Sequence, residues 1–209
     1  MKRAGIGIRA HSGWAAVVAV AGDLASPVIL DRRRMAVVDP GAQGTAQPYH
    51  FARELPLEGA QSHLASCAKR SRELAAGGLA DLVERLRGSG YQVAGCAILT
   101  SSGRPLPGLA ETLASHAMIH TAEGEFFRTA FADACSQLGI PVARERERDM
   151  LGCATREFGS GLAGIKKRLA AIGGDFGPPW AEDQKKAALA GWLLLSRSSK
   201  AGRRAGNRK

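Results

Sequence analysis

The sequence predicts an α/β fold: a five-stranded mixed sheet, made of a three-strand antiparallel meander and two parallel strands, flanked by helices. Three observations carry that prediction. Residues 5–38 hold three apolar runs with short links, residues 57–86 carry apolar side chains at helical spacing, and two further apolar runs at 91–100 and 140–143 are separated by a second helical stretch. Short links between strands make antiparallel hairpins, whereas a helix between strands makes a parallel crossover.

The first run, Gly5-Ile6-Gly7-Ile8-Arg9-Ala10-His11, turns at Ser12-Gly13 and returns from Trp14 through Ala15-Ala16-Val17-Val18-Ala19-Val20-Ala21 to Gly22. A third strand spans Val28 to Val38 and ends at the Asp39-Pro40-Gly41 turn. Pro40 to Pro56 is polar and punctuated by Gly and Pro, so it reads as a loop that packs down through Tyr49, His50 and Phe51. Leu57, Ala60, Leu64, Cys67, Leu74, Leu82 and Leu86 follow a period near ~3.6 and predict a long helix, bent or broken at Gly77-Gly78. Tyr91 to Thr100 is a buried strand parallel to the first. Gly108 to Leu138 is helical with an interruption, after which Gly139 caps and Ile140-Pro141-Val142-Ala143 starts the fifth strand. Two more helices, Gly161 to Ile172 and Glu182 to Leu195, are separated by Gly173-Gly174 and by Pro178-Pro179, a pair that imposes an extended entry to the last helix.

With 209 residues and 45% hydrophobic content, one core is expected over residues 1–196. The net charge is +10, but Arg197, Lys200, Arg203, Arg204, Arg208 and Lys209 hold six of those charges with no acid among them, leaving +4 for residues 1–196. Residues 197–209 read as a basic, disordered tail. A basic excess points to nucleic acid or another anionic surface. Cys67, Cys96, Cys135 and Cys153 form no Cys-x-x-Cys pair, which excludes a zinc ribbon or thioredoxin motif and predicts reduced core thiols. Arg9 and His11 break the first apolar run before it can act as a signal core, and no stretch approaches the ~20 apolar residues of a membrane span. The chain is expected to be cytoplasmic.

The Gly5-Ile6-Gly7-Ile8 opening, the passage Ala134-Cys135-Ser136-Gln137-Leu138-Gly139-Ile140-Pro141-Val142, and the closing Glu182-Asp183-Gln184-Lys185-Lys186-Ala187-Ala188-Leu189-Ala190 occur in an order that resembles the ribonuclease H-like superfamily. The likeness is nearest the bacterial Holliday-junction resolvase branch. It implies two Mg2+ or Mn2+ ions held by carboxylates from the first strand, the fourth strand and the last helix. Here the first-strand position is Arg9, the fourth strand ends Thr100-Ser101 without an acid, and only Asp183, beside Glu182, matches on the last helix. Arg9 either binds an anion with His11 and Ser12 or pairs with Asp183. Glu182 and Asp183 also suit a helix N-terminus as ordinary first-turn acids.

Polar residues concentrate between Ser115 and Arg128. On one continuous helix, His116, His120 and Glu123 share a face with Ile119, Phe126, Phe127, Ala130 and Ala134. A carboxylate there is costly unless paired or metal-bound, and His-x3-His-x2-Glu supplies three ligands to a zinc-like ion. In the other reading the element breaks, Thr121 caps a helix starting at Ala122, and Glu123 and Glu125 are first-turn acids; Gly124 favours this one. Both readings stay open. If Arg144-Glu145-Arg146-Glu147-Arg148-Asp149 is a strand, Arg144, Arg146 and Arg148 form a row that either meets phosphates or protects a solvated edge.

No phosphate-binding glycine loop and no Gly-x-Ser-x-Gly elbow is present, which takes nucleotide hydrolysis and esterase chemistry out of the front rank. The reading that results is a non-catalytic or degenerate ribonuclease H-like module associated with nucleic acid through Arg9, Arg144, Arg146, Arg148, Arg203 and Arg204. Its alternative is a divergent nuclease using Mg2+ or Mn2+, with Glu123, Glu125 and Asp183 catalytic and His116, His120, Glu123 and Asp183 as metal ligands. A protein-binding module indifferent to nucleic acid is the third class.

Overall fold

In the computed structural model, which describes residues 1–23, 26–101 and 105–206 and leaves the side chains of 175 and 199–206 outside that description, the five apolar runs form one sheet. Its strands are β1 (Lys2–His11), β2 (Trp14–Gly22), β3 (Pro27–Ala36), β4 (Tyr91–Thr100) and β5 (Val142–Arg146), in the order β3-β2-β1-β4-β5. β1 pairs antiparallel with β2 and β2 with β3, while β4 runs parallel to β1 and to β5. This is the mixed sheet that the sequence predicts.

Both faces of the sheet are buried, which is why its central strands read as nearly unbroken apolar runs. Ile6, Ile8, Val17, Cys96 and Ile98 face a layer made by α2 (Leu57–Gly88) and α4 (His116–Gln137), where Leu79, Leu82, Phe127 and Phe131 pack. Val18, Val20, Ala97 and Leu99 face the other way, toward α5 (Met150–Phe158), α6 (Leu162–Ala171) and α7 (Glu182–Gly206). Trp192 of α7 is fully buried there and stacks on Phe158 of α5, ring centroids 4.0 Å apart. A smaller cluster joins Ala52 of α1 (Pro48–Ala52), Ala60 and Leu64 of α2, and Leu113 of α3 (Leu109–Ala114).

The glycines of the opening motif have a packing role. A Cβ on Gly7 would overlap the carbonyl of Ala187, and one on Gly5 would overlap that of Gly191. The α7 backbone therefore lies directly on β1, and that approach holds the start of α7 over the end of β1. From the other side, Arg32 of β3 donates to the carbonyls of Gly177 (2.9 Å) and Pro179 (2.6 Å), fixing the chain just before α7.

Several details differ from the sequence expectations. α2 runs unbroken through Gly77-Gly78, because Gly78 is where the helix meets Met35: a Cβ there would lie 2.8 Å from the Met35 Sδ. The segment expected to be a loop up to Pro56 contains α1, begun by Pro48 at its first position. The break in the 108–138 stretch falls at Ser115, whose side chain caps α4 by accepting from Met118 N, so residues 116–125 are one helix and not a junction at Thr121. β5 stops at Arg146 and gives way to a 3-10 turn, Glu147–Asp149, and then to α5, which sequence periodicity did not separate from the charged run before it. α7 continues to Gly206, into the segment read as a disordered tail; Arg203 and Arg204 carry side chains outside the described residues, and Arg208 and Lys209 lie outside them altogether. Among the described residues, no helix is long and apolar enough to cross a membrane.

Candidate functional site

The carboxyl ends of β1, β4 and β5 and the first turn of α7 meet at one end of the sheet. Arg9 lies on the β1 face covered by α7, two residues on from Gly7. Its Nε donates to Glu147 Oε2 at 2.9 Å and its Nη2 to Glu147 Oε1 at 3.1 Å, a two-pronged guanidinium–carboxylate pair. The third prong, Nη1, donates to Asp183 Oδ1. Lys186, one turn along α7 from Asp183, donates to Glu147 Oε1 at 2.7 Å. Nε2 of His11 lies 3.2 Å from both Arg9 Nη1 and Asp183 Oδ1.

The electrostatics of this cluster are self-contained. Burial alone would push the Glu147 carboxyl up, but the hydrogen bonds from Arg9 and Lys186 outweigh it and hold it at about 2. The same hydrogen bond to Glu147 raises Arg9 above its ordinary range. Burial pushes the His11 imidazole below its usual value, against the pull of Asp183, so His11 is largely neutral at pH 7. Two cations and two carboxylates thus balance one another. His11 stacks on Trp14, its direct cross-strand neighbour, at a centroid distance of 4.3 Å. The guanidinium of exposed Arg34 covers the Trp14 ring at 3.5 Å.

Arg9, His11 and Asp183 stand out in the sequence, whereas Glu147 and Lys186 do not. On an alternating strand Glu147 would be one of three acids on the face opposite the arginines; because the strand stops at Arg146, its side chain instead turns toward the sheet end beside β1. Its position just past the end of a parallel strand neighbouring β4 was the available signal. Glu182 is exposed. At the end of β4, Thr100 Oγ1 donates to the Glu145 carbonyl at 3.3 Å.

The remaining candidates disperse. Arg144 faces α4, where it pairs with Glu125, and Arg128 Nη1 lies 3.6 Å from the same carboxylate. Arg146 is exposed at the end of β5, and Arg148, on the 3-10 turn, contacts Asp149 at 3.7 Å. The three arginines therefore do not form a row, since only Arg144 and Arg146 share the strand. Glu123 is buried and spends Oε1 on the backbone N–H groups of Tyr49 (3.0 Å) and His50 (3.1 Å) at the start of α1. No hydrogen bond or ion pair joins it to Asp183 among the described residues. His116 and His120 are exposed, their Nε2 atoms 3.0 Å apart, and the third imidazole beside them is His50, which the sequence reading placed only in a packing role.

No protein-family model matches the chain, and no curated protein matches it. Solved structures do, two of RuvC among them. RuvC of Thermus thermophilus aligns over 96% of this chain and 97% of its own, with TM-score 0.56 and 13% identity. The T. thermophilus RuvC in complex with Holliday junction substrate aligns over 93% of this chain and 95% of its own, with TM-score 0.54 and 12% identity. The chain therefore has, over nearly its whole length, the ribonuclease H-like fold that RuvC also adopts.

Proposed function

We propose that this protein is a non-catalytic ribonuclease H-like module that associates with nucleic acid, its nuclease centre replaced by a closed ion-pair cluster. One observation carries the reading: Arg9 is bonded to both Glu147 and Asp183 at the end of the first strand. The fold implies two divalent cations there, and these need a surplus of carboxylate to offset their mutual repulsion. The residues present do not fit them. Arg9 and Lys186 already neutralise Glu147 and Asp183, and β4 ends on Thr100, an uncharged residue, with Ser101 next.

Association with nucleic acid is supported by the +10 charge and by the fold shared with a protein solved on a Holliday junction. The divergent-nuclease alternative needs Glu123, Glu125 and Asp183 to act together. Instead Glu125 is held by Arg144, Glu123 by α1 and Asp183 by Arg9.

Incubation of the full chain with four-way junction and single-stranded DNA, with Mg2+ or Mn2+, tests the reading. It predicts salt-sensitive binding without strand cleavage. Metal-dependent cleavage that disappears in Asp183→Asn while the fold survives would overturn it.

A further inference from the structure

His50, His116 and His120 stand apart from the Arg9 cluster and are used by nothing described so far. One ring nitrogen from each lies within 4.8 Å of the other two. His116 and His120 sit one turn apart on α4, a spacing that puts two imidazoles on one metal ion. Their Nε2 separation of 3.0 Å is near the roughly 3.3 Å between two nitrogens bound to a tetrahedral Zn2+. His50 arrives from α1 and meets both, at ring-centroid distances of 5.6 and 4.9 Å.

The residue behind His50 strengthens the case. His50 Nδ1 is buried without a hydrogen bond, 3.1 Å from Glu123 Oε1 and off the line of a good one. Glu123 itself is only 4% exposed and is anchored by two α1 backbone N–H groups. Metal-binding histidines are commonly steadied by such a carboxylate, which orients the ring and raises its basicity. His116 and His120 are exposed, which leaves water access to a fourth position, and a groove of about 530 Å³, lined by Ser12, Gln47, His50 and Phe51, opens beside His50.

We propose that His50, His116 and His120 bind one Zn2+ ion, with Glu123 positioning His50, so that the metal clamps α1 onto the start of α4. Three imidazole nitrogens suit zinc, whereas Mg2+ and Mn2+ prefer oxygen ligands. This site does not depend on the reading of the Arg9 cluster.

The test uses the untagged full chain, stripped with a chelator and titrated with Zn2+ against a chromogenic competitor, then with Co2+ as a spectroscopic probe. One Zn2+ per chain is expected, with tetrahedral Co2+ bands and no thiolate charge-transfer band. His116→Ala and His120→Ala replace exposed residues, so the metal-free variants should keep the parent melting temperature while binding Zn2+ at least about 100-fold more weakly. Glu123→Gln should weaken binding about 10- to 100-fold. His63→Ala, which removes a histidine next to Cys67 (3.5 Å), should change nothing. The proposal is overturned by an absence of Zn2+ binding, by binding that survives the double His116→Ala/His120→Ala change, or by a thiolate band pointing to Cys67.

Discussion

At Arg9 one guanidinium serves two carboxylates, and removing it should be felt in stability before anything else. Arg9→Ala leaves Glu147 with Lys186 alone and Asp183 with His11 alone. Losing hydrogen bonds to charged groups in a half-buried setting costs roughly 1–3 kcal/mol, measurable as a lower urea midpoint at pH 7. The pH dependence has a definite sign. Glu147 titrates at about 2 in the fold, below the ordinary 4.5, so its contribution is complete above pH 4.5 and is lost as pH falls toward 2. After discounting for solvent screening, that contribution is on the order of 1–2 kcal/mol. Glu147→Gln should therefore flatten the stability profile between pH 5 and 2, and an unchanged slope would refute the assignment. Half of this cluster was legible beforehand. Arg9 and Asp183 announce themselves by strand end and helix start, whereas Glu147 and Lys186 do not, because alternating charge reads as a strand and a lysine on a helix reads as surface.

Among the elements, the contact between β1 and α7 matters most, since it sets the spacing from Arg9 to Asp183. A methyl group on Gly7 would meet the Ala187 carbonyl, which belongs to a helix backbone and cannot rotate away. Gly7→Ala should force α7 off the sheet and cost several kcal/mol, on the order of the larger overpacking penalties near 3 kcal/mol. Gly77→Ala is the control, because a Cβ there meets open space at an exposed position and improves helix propensity by about 1 kcal/mol. Thermal unfolding of the pair should move in opposite directions; a Gly7→Ala protein as stable as its parent would show that the helix can slide freely. Gly7 and Gly78 also show why strands and long helices were readable and finer features were not. Apolar runs and a repeating period survive in the sequence, so the five strands and α2 stand out. Whether a glycine breaks a helix or spaces it from Met35 depends on a partner more than 40 residues away, which no local pattern encodes. α1 and α5 are too short for periodicity to reveal, and His50 became part of the histidine cluster only because α1 folds back on α4.

For the whole molecule, the distribution of charge decides how nucleic acid would be held. Among the described residues the arginines are largely spent internally: Arg9 on Glu147 and Asp183, Arg144 on Glu125, Arg70 on Asp39, Arg197 on Glu145. Paired cations release few counterions on binding, so the steepest salt dependence should come from positive charge without acidic neighbours. In the sequence that is Lys200, Arg203, Arg204, Arg208 and Lys209. Replacing these five by Gln leaves the Arg197 to Glu145 pair intact and removes half of the +10 charge. If the C-terminal segment contacts phosphates, the slope of log affinity against log salt for duplex DNA should fall by up to about 0.9 for each lost contact, with affinity dropping uniformly across sequences. Fluorescence anisotropy between 50 and 200 mM salt would measure it. An unchanged slope would move the binding surface to the exposed cations of the folded body, with Arg34 over Trp14 and Arg146 at the end of β5 the next positions to neutralise.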